Sequence, residues 1–432
     1  MKRLFVNAII VPMTYEEKIY YDACLGIDGD RIIYLGVKDD VDESDYDEIV
    51  DCKDKVILPG FINTHCHAAM SILRGYADDL PLKEWLEEKI WPLEAKFCRE
   101  QIRAGTALAI LEMIKSGVTC FADMYYFMDE VLEIVLETKI RAVLSRGVVG
   151  TDNETETLQK IEEAISFAKK CKEKFDDKIT AMLSPHSPYT CSTAVLQQFI
   201  KEAQKLALPL HIHLAETKKE VYLNLQKYGK TPVYYLEDLG FFNLPTLIAH
   251  AVHLTEDEID VLVKYDVKVS HNPGSNLKLG SGIAPIVSML NKGLKPSLAT
   301  DGAASNNNLD MLEEIRLAAL IHKGFYRDPK VVPAYTALKM GTIYGAEALF
   351  IAKNVGSLEI NKKADFITLS LKETHMVPLH NIVSHLVYSA NSNDIQDVFV
   401  AGIPLMRNRE VLVLDEEKVH FEAINAFEKL KV

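Results

Sequence analysis

The sequence predicts an α/β protein, a (β/α)8 (TIM) barrel with a small β-sandwich domain built from both chain ends. Three observations carry that expectation. Apolar, β-branched runs alternate with amphipathic helical stretches through the middle of the chain. Both ends fall back to short strand spacing, and histidines and carboxylates gather where the apolar runs stop.

Taken in order, residues 1–55 read as four short strands at 4–11, 21–27, 31–36 and 48–52. Gly29-Asp30 makes the hairpin turn between the second and third. From Val56 the rhythm changes. Strands are expected at 56–62, 118–124, 140–149, 179–184, 208–214, 246–252, 267–270 and 295–300, which makes the eight of a barrel. Helical patterns at 101–116, 155–175, 193–206 and 308–322 lie between them, and right-handed crossovers would set those helices outside. After Gly356 short strands return at 365–369, 382–389, 398–401 and 411–414, before a closing helix from about Glu416. The expected domains are 1–55 as the N-terminal part of the sandwich, 56–355 as the barrel, and 356–432 as the C-terminal part plus the closing helix.

The chain of 432 residues is 48% hydrophobic and 25% charged, ordinary for a soluble globular enzyme. A net charge of −14 with no Lys/Arg cluster argues against nucleic acid or an anionic membrane as partner. Seven cysteines form no CxxC pair, and no leader or membrane-length apolar run is visible, so a reducing, cytoplasmic setting is expected. The expected partner is a small molecule, and a homo-oligomer stays open.

The first barrel strand runs into Asn63-Thr64-His65-Cys66-His67. Residues two apart on a strand share a face, so His65 and His67 would present two imidazoles side by side, with Cys66 turned into the core. Neutral imidazole is the commonest protein ligand for a divalent metal. A His-x-His pair alone is weak evidence, but other strands are loaded at the same end. The fourth ends in Ser184-Pro185-His186-Ser187 and the fifth in His211-Ile212-His213-Leu214-Ala215-Glu216. The sixth ends in His250-Ala251-Val252-His253 and the eighth in Thr300-Asp301-Gly302. An ordinary barrel has no reason to carry metal-competent groups at strand end after strand end. His211 shares the face of His213 and reads as deeper packing; His253 and His271 read as supporting residues near the rim.

These stretches resemble the amidohydrolase superfamily, and within it the aminohydrolases related to 5-methylthioadenosine/S-adenosylhomocysteine deaminase. The likeness spans nearly the whole chain. It rests on the run from Leu58 to Met70 that contains His65 and His67, and on Leu73-Arg74-Gly75-Tyr76-Ala77-Asp78-Asp79 with Trp91-Pro92-Leu93-Glu94. It continues in His213-Leu214-Ala215-Glu216-Thr217, in Ser270-His271-Asn272-Pro273-Gly274-Ser275-Asn276-Leu277-Lys278-Leu279 and in Thr300-Asp301-Gly302. The stretch from Gly356 to Phe366 matches the family's return into the sandwich, with Asn361 where members more often have glycine.

The resemblance implies that His65, His67, His213 and Asp301 bind one divalent metal, zinc, and leave a position for water. It implies that Glu216 shuttles a proton to purine N1 as hydroxide attacks C6. Asp301 and His250 would orient and deprotonate the water, and ammonia then leaves. On the substrate it implies that Glu94 accepts the ribose hydroxyls, His186 faces N3, Ser305 lies near N7 and Arg146 pairs with the carboxylate of S-adenosylhomocysteine. Glu216 and Asp301 would also touch the substrate.

Binuclear members of the superfamily bridge two metals through a lysine at the end of the fourth strand. Ser184-Pro185-His186-Ser187 has none, so a single metal is expected. The zinc deaminases with an H-x-E and P-C-x-x-C signature are excluded by the missing cysteine motif. From Gly147 to Gln159 the chain has no basic residue and is acidic (Asp152, Glu154, Glu156), which favours uncharged 5'-modified adenosines. The expected activity is metal-dependent hydrolytic deamination of 5'-methylthioadenosine, S-adenosylhomocysteine, 5'-deoxyadenosine or adenosine. One alternative is a guanine or pterin deaminase or a triazine hydrolase, against which Glu94 argues, because a ribose-binding carboxylate is useless to a free base. The other is a non-catalytic assembly protein, against which the complete ligand set argues.

Overall fold

The computed structural model describes residues 1–151, 153–175 and 177–431. From Phe61 to Leu298 strands alternate with helices, and the strands run parallel in two sheets. In the first, Phe61–Cys66 pairs with Val118–Tyr125, which pairs with Arg141–Val148, which pairs with Ile179–Ala181 and Ser184–Pro185. The second holds Leu210–Leu214, Thr246–His250, Lys268–His271 and Ser297–Leu298 in chain order. Backbone bonds join the two sheets at both edges. The His211 amide donates to the Leu183 carbonyl at 3.0 Å, and the Asp301 amide to the His65 carbonyl at 3.1 Å. Phe61–Cys66, Val118–Tyr125 and Leu210–Leu214 are buried at every residue, as parallel strands covered on both faces must be.

Helices Arg99–Lys115, Glu154–Lys174, Thr193–Leu206 and Met311–Tyr326 answer the four expected patterns. In Thr193–Leu206 the buried Val195, Leu196, Phe199 and Ala203 repeat at helical spacing, and the Ser192 side chain caps the first turn by accepting from the Val195 amide. No helix among the described residues is long and apolar enough to cross a membrane.

Strands from both chain ends form one nine-stranded sheet. Lys2–Ile10 pairs antiparallel with Tyr20–Asp28, and Gly29-Asp30 turns the chain into Arg31–Val37 as expected. Phe366–Ser370, from the far end, pairs with Lys55–Pro59. Phe5, Phe366 and Phe399 meet in the core of this sheet, with the Phe366 and Phe399 rings stacked 4.6 Å apart. A fully buried ion pair at 2.8 Å between Arg141 and Asp365 fastens the sheet to the third parallel strand.

Residues 56–62 are not one strand. Lys55–Pro59 belongs to the flanking sheet and Phe61–Cys66 to the parallel one, with Gly60 between them. A Cβ at Gly60 would stand 2.1 Å from Thr119 Cγ2, so the chain passes there only as glycine. Residues 382–389 are helical rather than extended. Ile382, Val383, Leu386 and Val387 are the buried ones, which is the spacing of a helix face, and the Asn381 side chain accepts the Ser384 amide as a cap. The β-branched residues there suggested a strand, while the strand Ile403–Arg407, paired with Ile395–Val400, went unexpected. Asn361, at φ 73°, occupies the left-handed region that glycine and asparagine tolerate best.

Candidate active site

The ends of the parallel strands converge on one cavity. His67, Glu94, His186, His213, Glu216, His250, Asp301 and Ser305, all singled out from the sequence, line it. His65 is fully buried behind them.

The backbone leaves regular geometry where it presents these groups. The pairing of Phe61–Cys66 with its neighbour slips between Asn63 and Cys66, around His65. Ala215 (φ 52°), His250 (φ 72°) and Asp301 (φ 60°) all lie in the left-handed region. Such residues cost about 1–3 kcal/mol each and persist only where their surroundings enforce them. At Ala215 the Glu220 carboxylate does so, accepting the Ala215 amide at 3.0 Å and the Glu216 amide at 2.8 Å. That turn swings Glu216 off the strand of His213 and over the cavity.

His65 Nε2 and His67 Nε2 lie 3.4 and 3.2 Å from Asp301 Oδ1, and His213 Nε2 lies 3.4 Å from His67 Nε2. Ligand atoms at the corners of a tetrahedron with bonds of about 2.1 Å stand about 3.4 Å apart. His65 Nε2 and Asp301 Oδ1 are buried without a hydrogen-bond partner, a costly state that a shared cation relieves. The opposite ring nitrogens set the tautomers. His67 Nδ1 donates to the Met124 carbonyl at 2.7 Å and His213 Nδ1 to the His186 carbonyl at 2.8 Å, which leaves both Nε2 lone pairs free. The hydroxyls of Ser275 and Ser305 both donate to Asp301 Oδ2, at 2.7 and 2.6 Å, so Oδ1 faces the imidazoles. Two overlapping triads, His65–His67–His213 and His65–His250–Asp301, bring their donor atoms within 4.8 Å of one another, a set of imidazoles and one carboxylate that fits a divalent metal.

Burial pushes the Glu216 carboxyl above its usual range, and His250 only partly offsets it. Glu216 Oε2 is 3.7 Å from His250 Nε2, and the Ser281 hydroxyl donates to Oε1 at 3.2 Å. His250 Nδ1 donates to Asn276 Oδ1 at 2.9 Å, so its Nε2 lone pair faces Glu216. Burial raises Glu94 to about 7 even though it accepts the Tyr125 hydroxyl. Burial and the neighbouring imidazoles hold His186 at about 3, hence neutral, with Nδ1 3.0 Å from the Thr190 hydroxyl.

Arg146 is not brought to this cavity. It lies against Tyr126, its guanidinium 6.0 Å from the ring centre, and pairs with Glu163 at 3.0 Å in a separate cavity. Of the acidic stretch that follows it, Asp152 lies outside the described residues. Sequence reasoning gave no part to Ser275, Asn276, Ser281 or Glu220. Their signal was a polar run after the seventh strand and a carboxylate one turn into a helix, neither of which says what it faces. His253 Nε2 donates to the Ser281 carbonyl at 2.7 Å and so holds the loop that reaches Glu216, while His271 packs against His322.

Parallel strands that aim three imidazoles, a carboxylate and a buried acid into one cavity have the make-up of a metal-dependent hydrolase. The chain belongs to the amidohydrolase family, which it matches over residues 56–404. It is 47% identical over 431 residues to the 5-methylthioadenosine/S-adenosylhomocysteine deaminase of Syntrophomonas wolfei, covering 100% of this chain and 99% of that one. The protein of the same name from Dictyoglomus thermophilum is 50% identical over 387 residues, covering 89% and 90%. Among solved structures it resembles an adenosine deaminase from Xanthomonas campestris with bound zinc. There the identity is 31% and the TM-score 0.94, over 99% of this chain and 98% of that one.

Proposed function

We propose that the chain is a zinc-dependent aminohydrolase that converts adenosine derivatives, 5'-methylthioadenosine and S-adenosylhomocysteine among them, to inosine analogues and ammonia. One observation carries the reading: Glu216, a buried acid with a raised pKa, stands beside the His65–His67–His213–Asp301 cluster in the cavity that also holds Glu94. The names of the full-length relatives and the zinc of the Xanthomonas protein support it.

His65, His67, His213 and Asp301 would hold the metal, which when bound supplies the Lewis acidity that makes water nucleophilic near neutral pH. The remaining work falls to side chains. His250, with Nδ1 committed to Asn276, takes the proton of the attacking water on Nε2. Glu216, whose carboxyl burial biases toward the protonated form, gives a proton to purine N1 as C6 is attacked. It then takes the proton of the new C6 hydroxyl and passes it to the departing amine, after which the proton held by His250 restores it. His186 is assigned to the N3 edge of the purine and Glu94 to the ribose hydroxyls, while Ser305, its one proton given to Asp301 Oδ2, lies near N7 without donating to it. Arg146 is assigned to a carboxylate at the 5' end, which it meets only by giving up Glu163.

The same reading closes the eight strands into a (β/α)8 barrel that begins at Phe61 and runs to about residue 355, flanked by a sandwich made of 1–59 and 356–432. The backbone bonds at both edges of the two parallel sheets support closure. Seven cysteines, none in a disulfide, support a cytoplasmic setting. An ammonia-release screen of 5'-methylthioadenosine, S-adenosylhomocysteine, adenosine, adenine and guanine tests the proposal. Turnover of the nucleosides is expected, and turnover of guanine or adenine alone would overturn it.

A further inference from the structure

Glu314 lies on helix Met311–Tyr326, outside the cavity, with no exposed surface. Its Oε2 accepts the Gly274 amide at 2.9 Å, and its Oε1 accepts Asn306 Nδ2 at 2.8 Å. Each partner sits next to one of the hydroxyls on Asp301: Gly274 precedes Ser275, and Asn306 follows Ser305. Asn306 Nδ2 also donates to the Thr300 carbonyl at 2.7 Å, and the Thr300 hydroxyl accepts Asn63 Nδ2 at 2.7 Å, two residues before His65. The space is shaped to this carboxyl. A Cβ on Gly274 would stand 2.4 Å from Glu314 Oε1 and 2.7 Å from Asn306 Oδ1. Burial disfavours a carboxylate here and raises this one to about 8, so packing alone would be served better by leucine.

We propose that Glu314 is a positioning residue of the catalytic centre, which fixes Asp301 by pinning the loops of Ser275 and Ser305 to one another. With Oδ2 gripped by both hydroxyls the Asp301 carboxylate cannot rotate, and Oδ1 alone is offered to the imidazoles. This inference rests on Asp301 being a metal ligand.

Zinc dissociation constants by chelator competition, measured with Tm and kcat, test it on the full chain. Compared above pH 8, where the parent carboxyl is ionised and both oxygens accept, Glu314→Gln turns an amide N–H toward one of two donors and cuts one arm. It is expected to weaken zinc by about tenfold or more, the usual effect of losing a group that orients a ligand. Ser275→Ala should then cost less in the Glu314→Gln background than in the parent, because both changes act on the same oxygen. Asn306→Ala removes the other arm, should weaken zinc in the same direction, and decides the matter if Glu314→Gln does not fold. Zinc affinity within about threefold of the parent in these variants, with only Tm lowered, overturns the proposal. A parent protein that binds no zinc overturns the metal centre itself, and this assignment with it.

Discussion

His211 Nε2 lies 3.0 Å from His65 Nδ1. Burial, reinforced by the imidazoles around it, holds His211 well below its ordinary pKa, so it stays neutral. His65 can offer Nε2 to a metal only with its proton on Nδ1, and His211 Nε2 is the acceptor that keeps the proton there. A residue that resembled deep packing in the sequence thus selects the tautomer in which His65 Nε2 is free for a metal.

Elemental analysis of zinc-replete protein is expected to find about one metal per chain. His213→Ala should lower metal content and activity together. His211→Phe should retain the fold but weaken the metal by about 10–100-fold. Two metals per chain would contradict the single-ion centre, and unchanged affinity in His211→Phe would remove its role in setting the tautomer.

Glu216→Gln should keep its metal and lose kcat by about 10²–10⁴-fold, since an amide cannot carry the proton to the ring and on to the amine. Steady-state kinetics beside metal analysis check this. A loss under about tenfold with metal retained would route the proton elsewhere.

5'-Methylthioadenosine or 5'-deoxyadenosine should show kcat/KM equal to or above that of S-adenosylhomocysteine, with free adenine poor. Glu163 already neutralises Arg146, so a tail carboxylate must compete for it. Arg146→Ala should penalise only S-adenosylhomocysteine, by about 1.5–3 kcal/mol. Glu163→Gln should favour that substrate alone. A more than tenfold preference for S-adenosylhomocysteine in the parent would reverse this order.

Stability of the metal-free protein should fall as pH rises from about 6.5 to about 9. Burial raises Glu94 and Glu220 to about 7 and Glu314 to about 8. A carboxyl with a raised folded pKa stabilises below its unfolded value and loses that contribution as pH climbs through the folded one. Burial lowers His67, but Asp301 outweighs it and brings the group to about 9, which acts with the same sign. The depressed His186 and His211 oppose this only below the unfolded histidine value of about 6.5, and Asp301 only at acid pH. Thermal melts of chelator-treated protein check the slope; a flat or rising Tm across that window would mean these groups ionise freely.

Strand–helix alternation and the histidines at strand ends were legible in the sequence because burial of parallel strands leaves continuous apolar runs, and a metal needs donors of few types. The break at Gly60 was not, since Lys55–Pro59 and Phe61–Cys66 form one apolar run and only the approach of Thr119 separates them. Residues 382–389 misled because Ile, Val and Tyr favour strands, while burial on one helical face decided otherwise. Ser275, Asn276 and Ser281 follow the seventh strand, yet they serve Asp301, His250 and Glu216 from other strands. Such partnerships belong to three-dimensional neighbourhood and leave no periodic trace.

The pairing of Lys55–Pro59 with Phe366–Ser370 has a consequence for biosynthesis. The strand that leads toward His65 leaves the ribosome early and pairs on one side with Lys2–Ile10, but its neighbour on the other side is made only after all the parallel strands. Until then that edge stands unpaired, and the nascent chain carries His65 and His67 on an unfinished support. Maturation of the centre is thereby tied to completion of the polypeptide, so a chain that stalls before Phe366 should expose an adhesive edge rather than a working pocket.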